Sequence, residues 1–330
     1  MNAFPEVRLR RMRRTPSLRR MFDAPLPGPS KFLWPVFVVG GKKQRQPIDA
    51  MPGQFRYSVD TLLKDLGPVA KSGIGGVLIF GLVENAGKDT CGTGAYADRG
   101  AVQQAVRAIR AAYPDLVVFT DVCLCAYTTH GHCGPLTNDD DVDNDAANAL
   151  LAKVAVSHAA AGADCVAPSA MMDGQVQAIR SALDAAAFQQ TLLMSYSTKF
   201  ASAMYGPFRE AEQSAPQKGD RQGYQASYRD LRQALRESAL DEAEGADILM
   251  VKPALFYLDL LTRLRARTDL PLAAYNVSGE YSMLIAAAER GWGDLRGMVR
   301  ESTAALSRAG ADLLISYWAN RYEELIGGRC

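Results

Sequence analysis

A run of fourteen residues, Asp121 to Gly134, gathers side chains that could bind a metal ion. It contains three of the six cysteines and two of the three histidines: Cys123, Cys125, Cys133, His130 and His132. Thiolates and imidazoles are the ligands that zinc prefers in proteins. The cysteine spacing C-x-C-x7-C supplies three thiols rather than four. This favours a catalytic zinc with an open fourth position, and buried thiols without metal are the alternative.

Two lysines could act as nucleophiles. The chain has 10 lysines against 27 arginines, yet Lys252 directly follows the apolar stretch 248–251, and Lys199 comes shortly after the stretch 191–195. Burial and a neighbouring cation both lower the pKa of a lysine, so that a neutral amine can attack a carbonyl and form a Schiff base. The alternative is that each lysine extends its ammonium group to solvent.

A long connection between two apolar stretches, residues 196–247, contains two further candidates. Arg209 and Arg221 lie in it, and arginine can bind a carboxylate through two parallel hydrogen bonds. From the residues alone, surface charge is the simpler explanation for both. A connection of this length in a compact domain is often a lid over a functional site, and we expect a lid at about 200–225.

The elements that must position these residues alternate between strand-like and helix-like patterns. Apolar stretches predict strands at 34–39, 76–80, 116–121, 164–167, 191–195, 248–251, 272–275 and 312–316. Helical patterns between them include 102–112, 144–161, 175–187, 228–243 and 295–309. The alternation favours an α/β fold of the (β/α)8 TIM barrel type. A doubly wound open sheet is the runner-up, although no GxGxxG motif follows the first strand.

A barrel places its chemistry just beyond the carboxyl ends of its strands. The cysteine run follows the third predicted strand, Lys199 the fifth and Lys252 the sixth. Residues that are far apart in sequence are therefore predicted to meet at one end of the barrel.

The composition is that of an ordinary globular protein. Of the 330 residues, 48% are apolar and 22% are charged, and the net charge is +1, so we expect neither a nucleic-acid nor a membrane partner. The sequence has no uninterrupted apolar stretch of about 18 residues that would predict a transmembrane helix. Six cysteines are too few for a disulfide scaffold and no secretory signal is recognisable, so we expect a cytoplasmic location. The cysteines outside the run are interpreted as unrelated thiols: Cys91, Cys165 and Cys330.

The first thirty residues form a separate basic segment. Within the first twenty, seven arginines face one acidic residue, Glu6: Arg8, Arg10, Arg11, Arg13, Arg14, Arg19 and Arg20. We interpret residues 1–30 as an arm that is solvated or contacts another subunit, with an RNA-binding arm or an organelle transit peptide as alternatives. Residues 31–330 are then a single catalytic barrel domain.

Longer motifs extend over nearly the whole chain. They include RMRRTPSLRRMF, MPGQFRYSVD, DVCLCAYTTHGHCG, VAPSAMMDG, MSYSTKFASAMYGPFRE, GDRQGYQ, ILMVKP and NVSGEYSML. In these motifs the chain resembles the porphobilinogen synthase (5-aminolevulinate dehydratase) family. The resemblance implies a hydro-lyase that condenses two molecules of 5-aminolevulinate into porphobilinogen with loss of two waters, in tetrapyrrole (heme) biosynthesis. It also implies a homo-octamer in which each arm wraps a neighbouring barrel.

The resemblance assigns roles to individual residues. Lys252 and Lys199 match the lysines that bind the A-side and P-side substrates covalently, and Asp121 matches an active-site acid. The three cysteines of the run match the zinc ligands, so the resemblance implies that the two histidines do not bind the metal. The other matches are substrate-binding residues: Arg209, Arg221 and Gln225 for the A-side carboxylate, Ser278 and Tyr317 for the P-side carboxylate, and Tyr196, Tyr205, Phe208 and Ser169 around the substrates.

Four positions qualify the resemblance. Ala170 and Gln175 stand where the family has Asp and Arg, which leaves a non-catalytic or altered-activity paralogue as one alternative. A Schiff-base aldolase is another, since it would need one catalytic lysine and no zinc. Gly223 stands where some relatives carry a cysteine, so a second zinc is not expected. Glu237 resembles the bacterial members that have an allosteric magnesium, and predicts Mg²⁺ at that position.

Overall fold

Eight parallel strands form a closed barrel in the computed structural model, which describes residues 4–328. Each barrel strand pairs with the next along the chain, and the last pairs with the first, where Phe32 lies opposite Leu314. The predicted (β/α)8 barrel is confirmed, and the open sheet is wrong. The strands of the described chain are β1 (Phe32–Val38), β2 (Arg45–Pro47), β3 (Phe55–Tyr57), β4 (Gly76–Gly81), β5 (Val117–Val122), β6 (Cys165–Pro168), β7 (Leu192–Lys199), β8 (Ile248–Lys252), β9 (Leu272–Asn276) and β10 (Leu313–Ser316).

Strands β2 and β3 form a short pair beside the barrel that the sequence pattern does not predict. They run antiparallel to each other, and β3 lies parallel to the end of β1. The residues of β2 are exposed, so no apolar stretch marks this pair. Arg56 of β3 donates hydrogen bonds to the carbonyl oxygens of Glu210 and Ala211 at 2.6 and 2.7 Å. The pair therefore holds a segment that lies over the barrel mouth.

Helices connect the strands and cover the outside of the barrel. In the part of the chain that the structure describes they are α1 (Pro16–Phe22), α2 (Val59–Lys71), α3 (Ala101–Ala112), α4 (Asn144–Ala161), α5 (Gln175–Ala185), α6 (Gly206–Glu212), α7 (Leu231–Ala243), α8 (Leu258–Arg265), α9 (Ser278–Glu289), α10 (Leu295–Arg308) and α11 (Tyr322–Leu325). The predicted helices correspond to α3, α4, α5, α7 and α10. Helix α7 begins at 231 rather than 228 because the Asp230 carboxylate accepts the backbone N–H groups of Arg232 and Gln233. We call residues 200–225, which contain α6, the lid segment.

Strand β7 is longer than its apolar stretch predicts. It continues to Lys199 through polar residues, because their hydroxyl groups find partners inside the fold. The Thr198 hydroxyl, for example, donates to the carbonyl oxygen of Ala234 in α7 at 3.1 Å. The register of β7 against β8 shifts by one residue between Ser195 and Thr198, and Lys199 lies level with Lys252 as a result.

The barrel strands are buried on both faces, as their continuous apolar stretches predict. Every residue of β4, β6, β8 and β9 is buried, because side chains fill the barrel and helices cover its outside. Lys252 is the last residue of β8 and belongs to this buried set. Its ammonium group therefore enters an apolar interior.

The amino-terminal segment lies outside the barrel. Helix α1 begins at Pro16, where the Thr15 hydroxyl accepts the backbone N–H of Leu18 at 3.2 Å, and none of its residues is buried. Several large apolar side chains of this segment are exposed: Phe4, Val7, Leu9, Met12, Met21 and Phe22. Among the helices of residues 4–328, none has the length and the hydrophobicity that crossing a membrane requires.

Candidate active site

The two predicted lysines lie side by side at the carboxyl end of the barrel. Lys199 ends β7, Lys252 ends β8, and the two residues are register partners. Both are buried, with 6% and 2% of their surfaces exposed. Register partners on parallel strands direct their side chains to the same face, so both amines enter one space.

Aromatic rings surround the amine of Lys252. Its Nζ lies 4.3 Å from the centroid of the Tyr275 ring and 4.6 Å from that of Phe208, with the rings of Tyr196, Tyr205 and Phe80 at 5.0, 5.6 and 5.7 Å. These rings attract a cation through their π-electrons. The attraction is weaker than the hydration that the ammonium group loses on burial. Burial, and after it the Lys199 cation, lower the pKa of Lys252 to about 7. The amine is therefore available in its nucleophilic form near neutral pH.

The amine of Lys199 has a different environment. Its Nζ donates a hydrogen bond of 2.6 Å to the main-chain carbonyl oxygen of Ser169, which directly follows β6. The Tyr196 ring centroid lies 5.7 Å from the same Nζ. Ser169, a predicted substrate-binding residue, thus contacts Lys199 through its backbone.

Two carboxyl groups interact with the lysines. Asp121 on β5 is a predicted acid, whereas Glu212, the last residue of α6, is not among the predicted residues. Burial, and after it the charge of Glu212, raise the pKa of Asp121 to about 7. Burial, followed by the charge of Asp121, also raises the pKa of the Tyr196 phenol. The cavity therefore contains an acid that can exchange its proton near neutral pH.

Three buried thiols form a compact cluster. The Sγ atoms of Cys123, Cys125 and Cys133 lie within 4.8 Å of one another, the first two 3.4 Å apart, and all three cysteines are free. Three soft donors at these separations fit a zinc ion and leave one coordination position open. Cys91 and Cys165 are free thiols outside the cluster, and Cys330 lies outside the described residues.

The two histidines of the run lie beside the thiol cluster without belonging to it. Both ring nitrogens of His132 have other partners, because Nδ1 lies 3.2 Å from the Tyr224 hydroxyl and Nε2 lies 3.0 Å from the carbonyl oxygen of Lys218. The His130 ring accepts the backbone N–H of His132 at 3.2 Å. Through His132, the cysteine run is joined to the lid segment.

Polar groups of the lid segment are buried without partners. Arg221 donates through Nη2 to the carbonyl oxygens of Gly131 and Ser214 at 2.9 and 2.6 Å. Its Nε, the Nε of Arg209 and both polar atoms of the Gln225 amide have no hydrogen-bond partner within residues 4–328. Buried polar groups normally have partners, so these groups are suited to an anionic, hydrogen-bonding ligand.

The other predicted substrate-binding residues contact Lys252 or the aromatic residues around it. The Tyr205 hydroxyl donates to the carbonyl oxygen of Lys252 at 3.0 Å. The Ser278 hydroxyl accepts the backbone N–H of Phe208 at 3.0 Å, and the Tyr317 hydroxyl lies 3.2 Å from that of Tyr275. Ser278 therefore connects the lid segment to the start of α9.

Glu237, the predicted magnesium ligand, is half-buried on α7. It lines a cavity of about 560 Å³ together with Asp141, Asp173 and Gln225. Burial, and after it the charge of Asp173, raise the pKa of Glu237. Oxygen ligands of this kind are those that magnesium prefers.

The two departures from the family pattern have distinct environments. Ala170 is fully buried, and Gln175 at the start of α5 accepts the backbone N–H of Met172 at 3.3 Å. Gln175 therefore has a local structural role. Although position 170 has no carboxyl group, the cavity still has Asp121 and Glu212.

Sequence reasoning missed Glu212. It lies in the segment Arg-Glu-Ala-Glu, which looks like an exposed charged helix. The buried residues of α6 are nevertheless Phe208, Ala211 and Glu212, spaced i, i+3 and i+4. That is the spacing of the inward face of a helix, and it could have identified Glu212 as buried.

The chain forms a closed (β/α)8 barrel. Its carboxyl end contains paired buried amines, a buried acid and a thiol cluster, which is the arrangement of a barrel enzyme. The family model of delta-aminolevulinic acid dehydratase matches residues 6–325. The chain therefore belongs to the delta-aminolevulinic acid dehydratase family, whose members are hydro-lyases. The resemblance seen in the sequence motifs is confirmed.

Relatives share both the sequence and the fold along the whole chain. The delta-aminolevulinic acid dehydratase of Archaeoglobus fulgidus is 48% identical over 324 residues, 98% of this chain and 99% of that protein. That of Escherichia coli is 49% identical over 312 residues, 94% of this chain and 95% of that protein. The enzyme of Toxoplasma gondii, solved in complex with its reaction product porphobilinogen, superposes with a TM-score of 0.93 at 40% identity, covering 96% of this chain and 90% of that chain.

Proposed function

We propose that this protein is a porphobilinogen synthase, which condenses two molecules of 5-aminolevulinate into porphobilinogen with loss of two waters. The observation that carries the proposal is the level pair of buried amines, Lys199 and Lys252. A Schiff-base aldolase would need one such amine, whereas two suit a reaction that joins two ketones. Purified protein with zinc and 5-aminolevulinate should accumulate porphobilinogen in a colorimetric assay. Metal-loaded protein that forms none would contradict the proposal.

Lys252 is the proposed nucleophile for the A-side substrate. Its neutral amine attacks the ketone carbon, water leaves, and the protonated imine that results makes the adjacent carbon acidic. Lys199 has the same role for the P-side substrate. Two substrates attached to neighbouring strands react as if they were parts of one molecule, which removes much of the entropic barrier.

Asp121 is the proposed acid and base for proton transfers in this chemistry. Its carboxyl group interacts electrostatically with both lysines, and its raised pKa allows both protonation states near neutral pH. Imine formation and carbon–carbon bond formation each need protons to be moved. The Tyr196 phenol beside it supplies a neutral hydrogen-bonding group.

Imine formation at Lys252 should become faster as the pH rises through about 7, because the neutral amine is the reactive form and burial lowers the pKa of Lys252 to about 7. Replacing Lys199 by methionine removes the neighbouring cation, which should raise this pKa and move the midpoint to higher pH. The compound 4-oxopentanoate has the ketone and carboxylate of 5-aminolevulinate without its amine. The rate at which cyanoborohydride traps it on Lys252, measured between about pH 5 and 9, tests both expectations.

The exposed Lys64 provides a matched control for this pH experiment. Lys64→Met should leave the midpoint of the trapping rate where it is in the unmodified enzyme. A midpoint that Lys199→Met also leaves unchanged would contradict the proposed interaction between the two amines.

Two groups of residues are proposed to bind the substrate carboxylates. Arg209, Arg221 and Gln225 of the lid segment bind that of the A-side substrate, supported by their unpartnered buried atoms. Ser278 and Tyr317, which follow β9 and β10, bind that of the P-side substrate. Tyr205 and Phe208 cover the amine of Lys252 and exclude water from the imine.

Replacing Arg221 by lysine should raise KM about 10- to 100-fold, with a smaller effect on kcat, because the charge remains but the planar pair of donors is lost. Arg221 is 6% exposed, so the shorter reach of lysine cannot be compensated by solvent. Steady-state kinetics with 5-aminolevulinate measure the change. The exposed Arg229 gives the control Arg229→Lys, and equal KM values in both variants would exclude Arg221 from substrate binding.

Zinc is the metal that we propose for Cys123, Cys125 and Cys133. When bound, it supplies a Lewis acid that polarises a substrate oxygen. The cysteines would hold it in a buried position at the carboxyl end of the barrel, the end at which both lysines lie. We also place the protein in the cytoplasm, where the cluster stays reduced and able to bind metal.

An allosteric magnesium ion at Glu237 is a separate proposal, supported by the carboxylates of Asp141 and Asp173 in the same cavity. We further propose a homo-octamer, supported by the exposed apolar side chains of the amino-terminal arm.

Mg²⁺ should increase both activity and octamer content, as measured by assay and light scattering. Glu237→Gln should remove the response and Glu301→Gln, at an exposed position, should retain it. No response in the unmodified protein would refute the magnesium site.

A further inference from the structure

Glu212 is a buried carboxylate that the proposed reaction steps do not use. It is 3% exposed and ends α6 on the inward face, whereas Glu210, two residues earlier, is exposed. Arg56 fixes this end of the helix through the carbonyl oxygens of Glu210 and Ala211. The position of Glu212 is therefore set by the fold.

The Glu212 carboxylate lies against the thiol cluster. Its Oε2 is 3.5 Å from Cys125 Sγ, and the same oxygen accepts a hydrogen bond of 2.6 Å from the Ser214 hydroxyl. The backbone of Ser214 is held in turn, because its carbonyl oxygen accepts from Arg221 at 2.6 Å. One oxygen of Glu212 is thus oriented toward Cys125.

A buried carboxylate without a nearby cation is energetically costly. Within residues 4–328, no lysine, arginine or histidine nitrogen lies within 4.0 Å of Glu212. Arg221 and Lys199 act on it from farther away. The contact with Cys125 Sγ instead places this carboxyl group where it can orient one of the three thiols toward a divalent cation.

The lid segment and the cysteine run pack directly on each other at this point. Gly131 has a φ of +77°, and a Cβ there would lie 2.6 Å from the carbonyl oxygen of Ala215, so glycine permits the approach. The carbonyl oxygen of His130 accepts the backbone N–H of Gln217 at 3.1 Å. The contact of Glu212 with Cys125 therefore belongs to a continuous interface between the two segments.

We infer that Glu212 is the contribution of the lid segment to the metal site. Its carboxylate positions Cys125 and increases the affinity for the divalent cation. It thereby links metal binding to the ordering of the lid segment. This inference rests on the proposed metal site at the thiol cluster. By thermodynamic linkage, a metal that is held more tightly by a closed lid also holds the lid closed more tightly.

Zinc affinity and lid exchange test the inference without reference to catalysis. Glu212→Gln keeps the size of the side chain and removes its charge, and it should weaken zinc binding, measured by competition with a chelator, by about 10- to 100-fold. It should also reduce the zinc-dependent slowing of amide hydrogen exchange in residues 213–225. Glu210→Gln, on the same helix, should match the unmodified protein within about twofold, the usual effect of an exposed change.

Ser214→Ala is a second test that leaves the carboxylate in place. It removes the hydroxyl that orients Oε2, and zinc affinity should fall by a smaller factor than in Glu212→Gln. If both variants bind zinc as tightly as the unmodified protein and retain the full zinc effect on exchange, the inference is wrong while the metal site stands. If the unmodified protein binds no zinc, the metal site itself is wrong.

Discussion

Replacing Lys252 by methionine should abolish porphobilinogen formation, with kcat falling by at least about 10⁴-fold, as expected when a covalent nucleophile is removed. Lys252 is enclosed by the rings of Tyr275 and Phe208, and the neighbouring amine of Lys199 is hydrogen-bonded to the carbonyl oxygen of Ser169. Methionine has a similar length and suits an apolar pocket. The loss would thus come from the missing amine rather than from unfolding.

Two measurements on Lys252→Met and one control variant separate loss of the amine from unfolding. Thermal unfolding should occur at or above the temperature of the unmodified enzyme, because a desolvated polar amine has been replaced by an apolar side chain. Borohydride with 5-aminolevulinate should no longer label the peptide that contains residue 252. Lys64→Met, at an exposed position, should retain full activity. Substantial turnover by Lys252→Met would remove the proposed nucleophile.

Removing the metal from the thiol cluster should lower activity by at least about 100-fold, which corresponds to about 3 kcal/mol of transition-state stabilisation. The buried Cys123, Cys125 and Cys133 provide soft donors that a chelator must compete with. Dialysis against a strong chelator, followed by metal analysis and assay, measures the loss. Zinc added back should restore the rate.

Cysteine variants provide the matching genetic test. Cys133→Ser should bind zinc weakly and show the same loss of activity, because a hydroxyl is a much poorer zinc ligand than a thiolate. Cys91→Ser, at a half-buried thiol outside the cluster, should behave as the unmodified protein does. Undiminished activity in protein shown to be metal-free would refute a catalytic role for the metal.

Apolar stretches and helical patterns were sufficient to predict the barrel, because parallel strands buried on both faces leave a clear pattern in sequence. They were not sufficient for β7. Its polar end continues as a strand because its hydroxyl groups form hydrogen bonds inside the fold, for example with the carbonyl oxygen of Ala234 in α7. They also missed β2 and β3, which are short, and in which no continuous apolar stretch is present. Such elements depend on tertiary contacts that local pattern does not contain.

The candidate site could likewise be predicted only in part from the sequence. Rare residue types at strand ends, the cysteines and Lys252, could be identified from sequence because the barrel requires its chemistry at that place. The contact between Glu212 and Cys125 could not, since it joins residues 87 positions apart through the fold of the lid segment. The roles of the individual residues remain predictions.

The one-residue irregularity in β7 determines which amines can meet. Before it, Ser195 lies opposite Leu249; without the extra residue, that offset would continue and place Lys199 opposite Pro253 and Thr198 opposite Lys252. Neighbouring residues of a strand point to opposite faces, so Lys199 would then point away from the space that Lys252 enters, and the partner of Lys252 on that face would be the hydroxyl of Thr198. In the actual register, the backbones that carry the two amines lie side by side, about 4.8 Å apart, the spacing of hydrogen-bonded strands. The pairing of β7 with β8 would then set the distance between the two points at which the substrates are attached, independently of the lid segment and the metal.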